Sequence, residues 1–295
     1  MKKNCIFVSI ASYRDKLCSD TIKSLYDNAK YPKNIYIGIC QQNKIEDDDC
    51  LKGLDIDTSR IKIIRIPHTE AKGPTYARYL CANLWNQEEY FLQIDSHTKF
   101  VKNWDIKSIL SIKKLKKISD KPVLSHYPRN FNDYRNYDKN KKFKVSYIKH
   151  FYYNKYNIIK YDGARIIDTK NSFIKTPFVT GCMLFAESSF LKEIPFDPTL
   201  NYLFTGEEIL HSLRFYTYGY DVYIPNQNIL FHYYIRNDNP KLWDDLKYYK
   251  KKLNTLDKVS RALNSKTNND TNKILGYYGL GNVKTIEDFN RYLNI

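Results

Sequence analysis

The sequence predicts an α/β fold whose core is a mostly parallel, doubly wound sheet. Runs such as Cys5-Ile6-Phe7-Val8-Ser9-Ile10 and Tyr90-Phe91-Leu92-Gln93-Ile94 are close to continuously apolar, as in strands buried on both faces. They alternate with amphipathic stretches through the first hundred residues, the pattern of βαβ crossovers. The runs end abruptly in polar residues, and open α/β sheets bind ligands at the carboxyl ends of their strands.

Taken in order, the first strand gives way to a polar elbow, Ala11-Ser12-Tyr13-Arg14-Asp15. A helix is expected over residues 17–29, stopping before Pro32 because the residue ahead of a proline disfavours helix. Residues 35–40 make a second strand ending in Gln41-Gln42-Asn43, and 61–66 a third that stops at Pro67. Gly73-Pro74 opens a helix with proline in its first turn, running to about Asn86. The strand ending at Asp95 follows, then a helix from about Trp104 and a short strand at 122–125. Residues 126–176 keep no steady period and are expected to form a long excursion with some strand content, a length that is commonly functional. Residues 177–185 read as a strand with Gly181 at its centre, the mark of a close approach by ligand or backbone. Phe204-Thr205-Gly206-Glu207-Glu208 opens another helix, with Thr205 as its N-cap and two acids in its first turn. Residues 222–225 and 228–234 are strands. Residues 241–264 read as a basic amphipathic helix, 265–272 as a polar linker and 274–295 as a short tail. The expected division is a main domain over 1–239, containing the excursion, and a helical extension with its tail over 240–295.

At 295 residues the chain suits one large core, or two domains at most. Its 42% hydrophobic and 15% aromatic content excludes a disordered chain. No stretch reaches about 18 uninterrupted apolar residues, and the amino terminus lacks the long apolar segment and cleavage site of a signal peptide. Neither a transmembrane segment nor secretion is therefore expected. The cysteines at 5, 18, 40, 50, 81 and 182 form no C-x-x-C pair, and several sit in apolar runs, which suits reduced thiols. A net charge of +16 favours anionic partners without choosing among nucleic acid, nucleotide and membrane surface. Much of that excess lies in lysine runs at 113–117, 139–144 and 247–252, which read equally well as solvated surface.

Asp95-Ser96-His97 carries the most chemistry. Two apart on an extended strand end, Asp95 and His97 face the same side. A carboxylate oxygen with an imidazole nitrogen suits Mn2+ or a similar divalent ion and leaves positions for phosphate oxygens. His232, near the end of a late apolar strand, reads by itself as a core histidine. Arg78 offers planar, bidentate donors to a diphosphate or to Asp95.

Together and in this order, these stretches resemble a GT-A glycosyltransferase. In detail they resemble the cytoplasmic polypeptide N-acetylglucosaminyltransferases that modify hydroxyproline. The likeness rests on the first strand with its elbow through Asp15, Gly73-Pro74 with Ala77-Arg78, and Leu92-Gln93-Ile94-Asp95-Ser96-His97. It continues through Pro195-Phe196-Asp197-Pro198, Phe204-Thr205-Gly206-Glu207-Glu208, His232 and Tyr278-Gly279-Leu280-Gly281, so it spans nearly the whole chain. A more distant likeness is to the polypeptide N-acetylgalactosaminyltransferases. Their D-x-H, glycine-bearing wall strand and G-E-N helix are similar to Asp95-Ser96-His97, Thr180-Gly181 and Gly206-Glu207-Glu208 through Ser212 and Arg214. The chain departs from them in having Glu208 where they have Asn, and in the spacing from His232 to Arg236.

The resemblance implies a GT-A fold with a helical carboxyl-terminal extension, and cytoplasmic location. It implies a UDP-GlcNAc donor and a hydroxyl acceptor, on protein hydroxyproline, Ser or Thr or on a glycan, with anomeric configuration retained. Asp95, His97 and His232 would hold Mn2+ or another divalent cation. Nucleotide-sugar contacts would come from Ser9, Ala11, Ser12, Tyr13, Arg14, Gln41, Thr75, Arg78, Asp95, Ser96, Gly181 and Arg236. Glu207 and Glu208 would stand on the catalytic side, the plain alternative being acids that favour a helix start. Two rival classes are a basic RNA- or single-strand DNA-binding protein, using tyrosines over 127–156, and a metal-dependent phosphodiesterase with more clustered carboxylates. Neither explains D-x-H, G-E-E and the late histidine together, so no nucleic-acid partner is expected.

Overall fold

The computed structural model describes residues 1–134, 142–236, 239–245 and 249–295. The basic runs at 139–144 and 247–252 fall partly outside them. The run at 113–117 is a solvated helix end whose lysines are exposed, a favourable place for cations at the negative pole of a helix.

The first half alternates as expected. The elements are β1 (Lys2–Tyr13), α1 (Cys18–Asp27), β2 (Ile35–Asn43), β3 (Ile61–Pro67), α2 (Pro74–Ala82), β4 (Glu88–Asp95), β5 (Thr98–Phe100) and α3 (Trp104–Leu115). The excursion holds β6 (Pro122–Ser125), β7 (Arg129–Asn130), β8 (Lys144–Tyr147), β9 (Phe151–Tyr153), β10 (Ile159–Tyr161), β11 (Arg165–Asp168) and β12 (Ile174–Thr176). Then come β13 (Met183–Glu187), α4 (Phe190–Glu193), α5 (Glu207–Thr217), β14 (Asp221–Ile224) and β15 (Leu230–His232). The chain closes with α6 (Leu242–Asp245), α7 (Tyr249–Leu263), α8 (Asn268–Leu275) and α9 (Ile286–Leu293).

The main sheet runs β12-β14-β6-β13-β4-β1-β2-β3. Strands β4, β1, β2 and β3 are mutually parallel, while β13 runs antiparallel between β4 and β6. Side chains alternate faces. Val8, Ile10, Ile37, Ile39, Leu92 and Ile94 pack on one side against Ile22, Leu25, Trp104 and Ile112 of α1 and α3. Phe7 and Phe91 stack on the other side, joined by Phe190, Phe196 and Phe215. A third apolar cluster joins Ile209, Leu210 and Leu213 of α5 to Ile158 and Ile159 and to Leu256, Val259, Leu275, Ile286 and Phe289 from the last three helices. Helix α5 is thereby wedged between the sheet and the carboxyl-terminal helices. Among the described residues, no helix is long and apolar enough to cross a membrane.

Several local expectations need correction. The strand read over 177–185 begins only at Met183: the Gly181 carbonyl accepts from the side chains of Gln93 and Arg78, and its N–H donates to Glu208, so neither serves a sheet ladder. The cap of α5 is Gly206 at φ 103°, not Thr205, because the chain enters the helix through a left-handed residue. The strand at 228–234 is three residues long; of the helix read over 241–264, Leu242–Asp245 and Tyr249–Leu263 are helical and residues 246–248 lie outside the described residues. The supposed linker and tail fold into α8 and α9, each with a threonine N-cap; Thr285 and Asp288 form a full capping box.

Cys18 and Cys50 are joined in a disulfide, contrary to the reduced thiols expected, with Cα atoms 4.9 Å apart. They sit 32 residues apart on elements that meet only in the fold, where the loop after β2 returns over the start of α1. Cys5, Cys40, Cys81 and Cys182 are free. Replacing Cys18 and Cys50 by Ser is expected to cost about 3–4 kcal/mol, the loop-closure value for this separation. A guanidinium unfolding midpoint unchanged from the parent's would show that the crosslink does not form.

Candidate active site

The order β3-β2-β1-β4 means that the chain winds outward from β1 in one direction, then returns to its other side at β4. A crevice opens at such a reversal, outside the carboxyl ends of the two strands. The register sets Ala11 of β1 beside Asp95 of β4 at that edge. His232 arrives through a separate small sheet in which β15 pairs antiparallel with β5, placing His232 opposite Thr98. Its neighbour Tyr233 donates its N–H to the His97 carbonyl at 3.1 Å. Residues 137 apart in sequence thereby share one site.

Asp15, at the end of the elbow after β1, is the organiser. Its buried carboxylate accepts hydrogen bonds from the Leu17 N–H, Asn239 Nδ2, Ser96 Oγ, His97 Nδ1 and Arg236 Nη1, at 2.7–3.1 Å. Burial alone would push this carboxyl up, but the His97 hydrogen bond and the charges of His97 and Arg236 outweigh it and hold it below the usual range. Because a carboxylate only accepts, His97 Nδ1 is the donor, which leaves Nε2 on the side of Asp95 and the crevice.

That Nε2 lies 3.9 Å from Asp95 Oδ2, and His232 Nε2 lies 3.0 Å from the same oxygen. The two imidazole centroids are 4.6 Å apart. Burial raises the Asp95 carboxyl, yet the His232 hydrogen bond and Arg78 charge prevail and hold it well below the ordinary carboxylate range. Burial lowers His232, only partly opposed by Asp95, so its ring is neutral at pH 7. Two imidazoles around an ionised carboxylate are the donor set of a divalent cation. His232 Nδ1 is buried with no protein partner, an expensive arrangement for a histidine that serves packing alone. The residues therefore fit the metal.

Arg78 forms the wall beside Asp95. It donates to Asp95 Oδ1 at 3.2 Å, to the Gly181 carbonyl at 3.3 Å and to Glu207 Oε1. A Cβ at Gly181 would sit 2.9 Å from Arg78 Nη2, so this guanidinium makes the close approach that requires a glycine. Glu207 also accepts from Thr75 Oγ1 at 2.8 Å. Glu208 accepts from the Gly181 N–H at 2.7 Å and from the Tyr127 hydroxyl. Both acids therefore hold specific partners in addition to starting α5.

These groups line one cavity of about 840 Å³. Of the candidate residues, Ala11, Tyr13, Arg78, Asp95, Ser96, His97, Gly181, Glu207, Glu208, His232 and Arg236 line it. Ser9 and Ser12 are fully buried and do not. Arg14 is tied to Asp47 and Asp245, Gln41 to Asp49 and the Cys50 N–H, and Thr75 stands behind Glu207. The sequence reading missed Asp15, Tyr127, Cys182 and Tyr234. Asp15 lay in the quoted elbow, where an acid two residues beyond a buried strand was the available signal; the other three had none, because only the folded excursion, β13 and the pairing of β15 bring them here.

Solved structures with the same architecture include GalNAc-T7 crystallised with UDP, GalNAc and Mn2+, at TM-score 0.57 and 14% identity, covering 98% of this chain and 55% of that one. S. aureus TarS 1-349 in complex with UDP-GlcNAc aligns at TM-score 0.54 and 14% identity, covering 93% and 71% of the two chains. The chain thus spans little more than half of the GalNAc-T7 chain. The shared fold is that of the GT-A glycosyltransferases. Among curated proteins no sequence matches significantly. A family profile does, over residues 5–59 and 54–295: the chain belongs to the Glycosyltransferase (GlcNAc) family.

Burial, reinforced by the Glu207 charge and opposed by hydrogen bonds from Gly181 and Tyr127, raises the Glu208 carboxyl from 4.5 to about 7. A raised folded-state value makes its stability contribution complete below pH 4.5 and lost as pH rises through 7. Glu208→Gln cannot ionise. Its unfolding free energy should change by up to about 3 kcal/mol less than the parent's between pH 4.5 and 8. Parallel pH profiles would place this ionisation elsewhere.

Proposed function

We propose that the protein transfers a sugar, GlcNAc by preference, from its UDP-linked donor to a hydroxyl acceptor, retaining anomeric configuration. The observation that carries this reading is the convergence of Asp95, His97 and His232 at the reversal point of the sheet, with His97 oriented by Asp15. Family membership and the UDP-sugar and UDP–Mn2+ complexes of the structural relatives support it. Residues 1–239 would form the catalytic unit and 240–295 a helical support for α5.

In this reading Asp95, His97 and His232 hold a divalent cation. When bound, the cation acts as a Lewis acid that neutralises charge growing on the departing diphosphate. Tyr13 and Ala11, at the carboxyl end of β1, receive the nucleoside. Arg78, fixed by Glu207 and Asp95, directs a permanent positive charge along the crevice and needs no reorganisation as negative charge develops. Glu208, held beside Arg78 through Gly181, would face the transferred sugar. Held near pH 7, it could exchange a proton with a hydroxyl without a large energetic penalty. The walls beyond it, Tyr127, Tyr161, Ile159 and Ile166, offer aromatic and apolar surface on which an acceptor would lie.

Incubation with a panel of nucleotide sugars should release UDP fastest from UDP-GlcNAc, and removal of divalent ions by EDTA should reduce release to background. Full activity after verified metal removal would refute the cation's role. His232→Ala should raise the cation concentration needed for UDP binding at least about tenfold, with binding recovered at high metal; a variant that melts earlier but keeps the parent's metal dependence would mark His232 as packing only.

Glu208→Gln should lower turnover by about 100-fold or more while UDP affinity changes less than about threefold, because the lost interaction belongs to the transition state. Near-parental turnover would leave Glu208 a structural acid.

A further inference from the structure

The cation site proposed above has a fourth side chain that its three expected ligands do not explain. Cys182 is a free, buried thiol immediately before β13. The register pairs Met183 with Ile94, so Cys182 stands across the sheet from the strand end that carries Asp95. It does not point into the apolar layers: it lines the crevice beside Asp95. The Cys182 sulfur, an Asp95 carboxylate oxygen and a His232 ring nitrogen all lie within 4.8 Å of one another.

We propose that Cys182 is a ligand of the cation, giving the site an oxygen, nitrogen and sulfur donor set. This inference rests on the cation reading above and sharpens it. Hard ions such as Mn2+ gain little from sulfur, whereas Zn2+ and Co2+ bind thiolate readily. The site should therefore favour those softer ions more strongly than Asp95 and two histidines would alone. Sulfur ligates as the thiolate, so the thiol proton leaves to solvent as the ion arrives. With the sulfur of Cys182 added to Asp95 and His232, and His97 Nε2 3.9 Å from Asp95, the ion would be held more firmly after the nucleotide departs.

Co2+ titrated into the metal-stripped protein provides the test, because its spectrum reports sulfur ligation without any turnover. The parent should bind one equivalent with a near-ultraviolet sulfur-to-cobalt charge-transfer band. Cys182→Ser should lose that band, still bind Co2+ at least about tenfold more weakly, and show a reduced preference for Zn2+ over Mn2+ in competition. Alkylation of the parent's Cys182 by iodoacetamide, read by peptide mass spectrometry, should slow when Co2+ or Zn2+ is present; this arm stands even where the Ser variant misfolds. Co2+ bound without the band, a band that survives in Cys182→Ser, or alkylation indifferent to metal would overturn sulfur ligation while leaving the cation site intact. Absence of stoichiometric Co2+ binding to the parent would overturn both.

Discussion

A single buried carboxylate, that of Asp15, holds three parts of the chain in one place. It grips the turn into α1 through Leu17, the end of β4 through Ser96 and His97, and the segment after β15 through Arg236 and Asn239. Burying a carboxylate costs several kcal/mol unless its lone pairs are filled; here five donors fill them. Cutting that centre would release His97 from its orientation and leave Arg236 uncompensated at the crevice. The disposition of the candidate ligands is thus a consequence of packing polar groups around one charge, not of any one strand's geometry.

Arg78 is the second fixed charge, and its cage explains why α5 needs such elaborate backing. Glu207 must reach Arg78 and Thr75 while Glu208 reaches Gly181 and Tyr127, which fixes the first turn of α5. Gly206 supplies the left-handed entry, and the apolar cluster shared with α7, α8 and α9 clamps the rest of the helix. Helices α7, α8 and α9 therefore matter to the site through packing: they hold the element from which its acids project.

The parallel half of the sheet was legible because β1 and β4 are buried on both faces and read as unbroken apolar runs. Asp95 and His97 were legible for a related reason, standing where such a run stops. His232 could be named only through resemblance; its meeting with Asp95 depends on the pairing of β15 with β5, which no local pattern encodes. The strand read through Gly181 failed because that glycine's backbone serves side chains. The final helices were missed because polar capping residues, Thr267 and Thr285, look like linker until their apolar faces find α5. Cys18 and Cys50 each look like a core thiol, and only the returning loop brings them together.

The most direct measurement is a crystal structure grown with UDP and Mn2+, with anomalous diffraction collected at the manganese edge. If the crevice at the ends of β1 and β4 is the donor site, one anomalous peak should lie in contact with Asp95, His97 and His232, and the UDP diphosphate should share it. UDP bound in the crevice with no ion beside these residues, or manganese bound only elsewhere, would contradict the shared metal–diphosphate site.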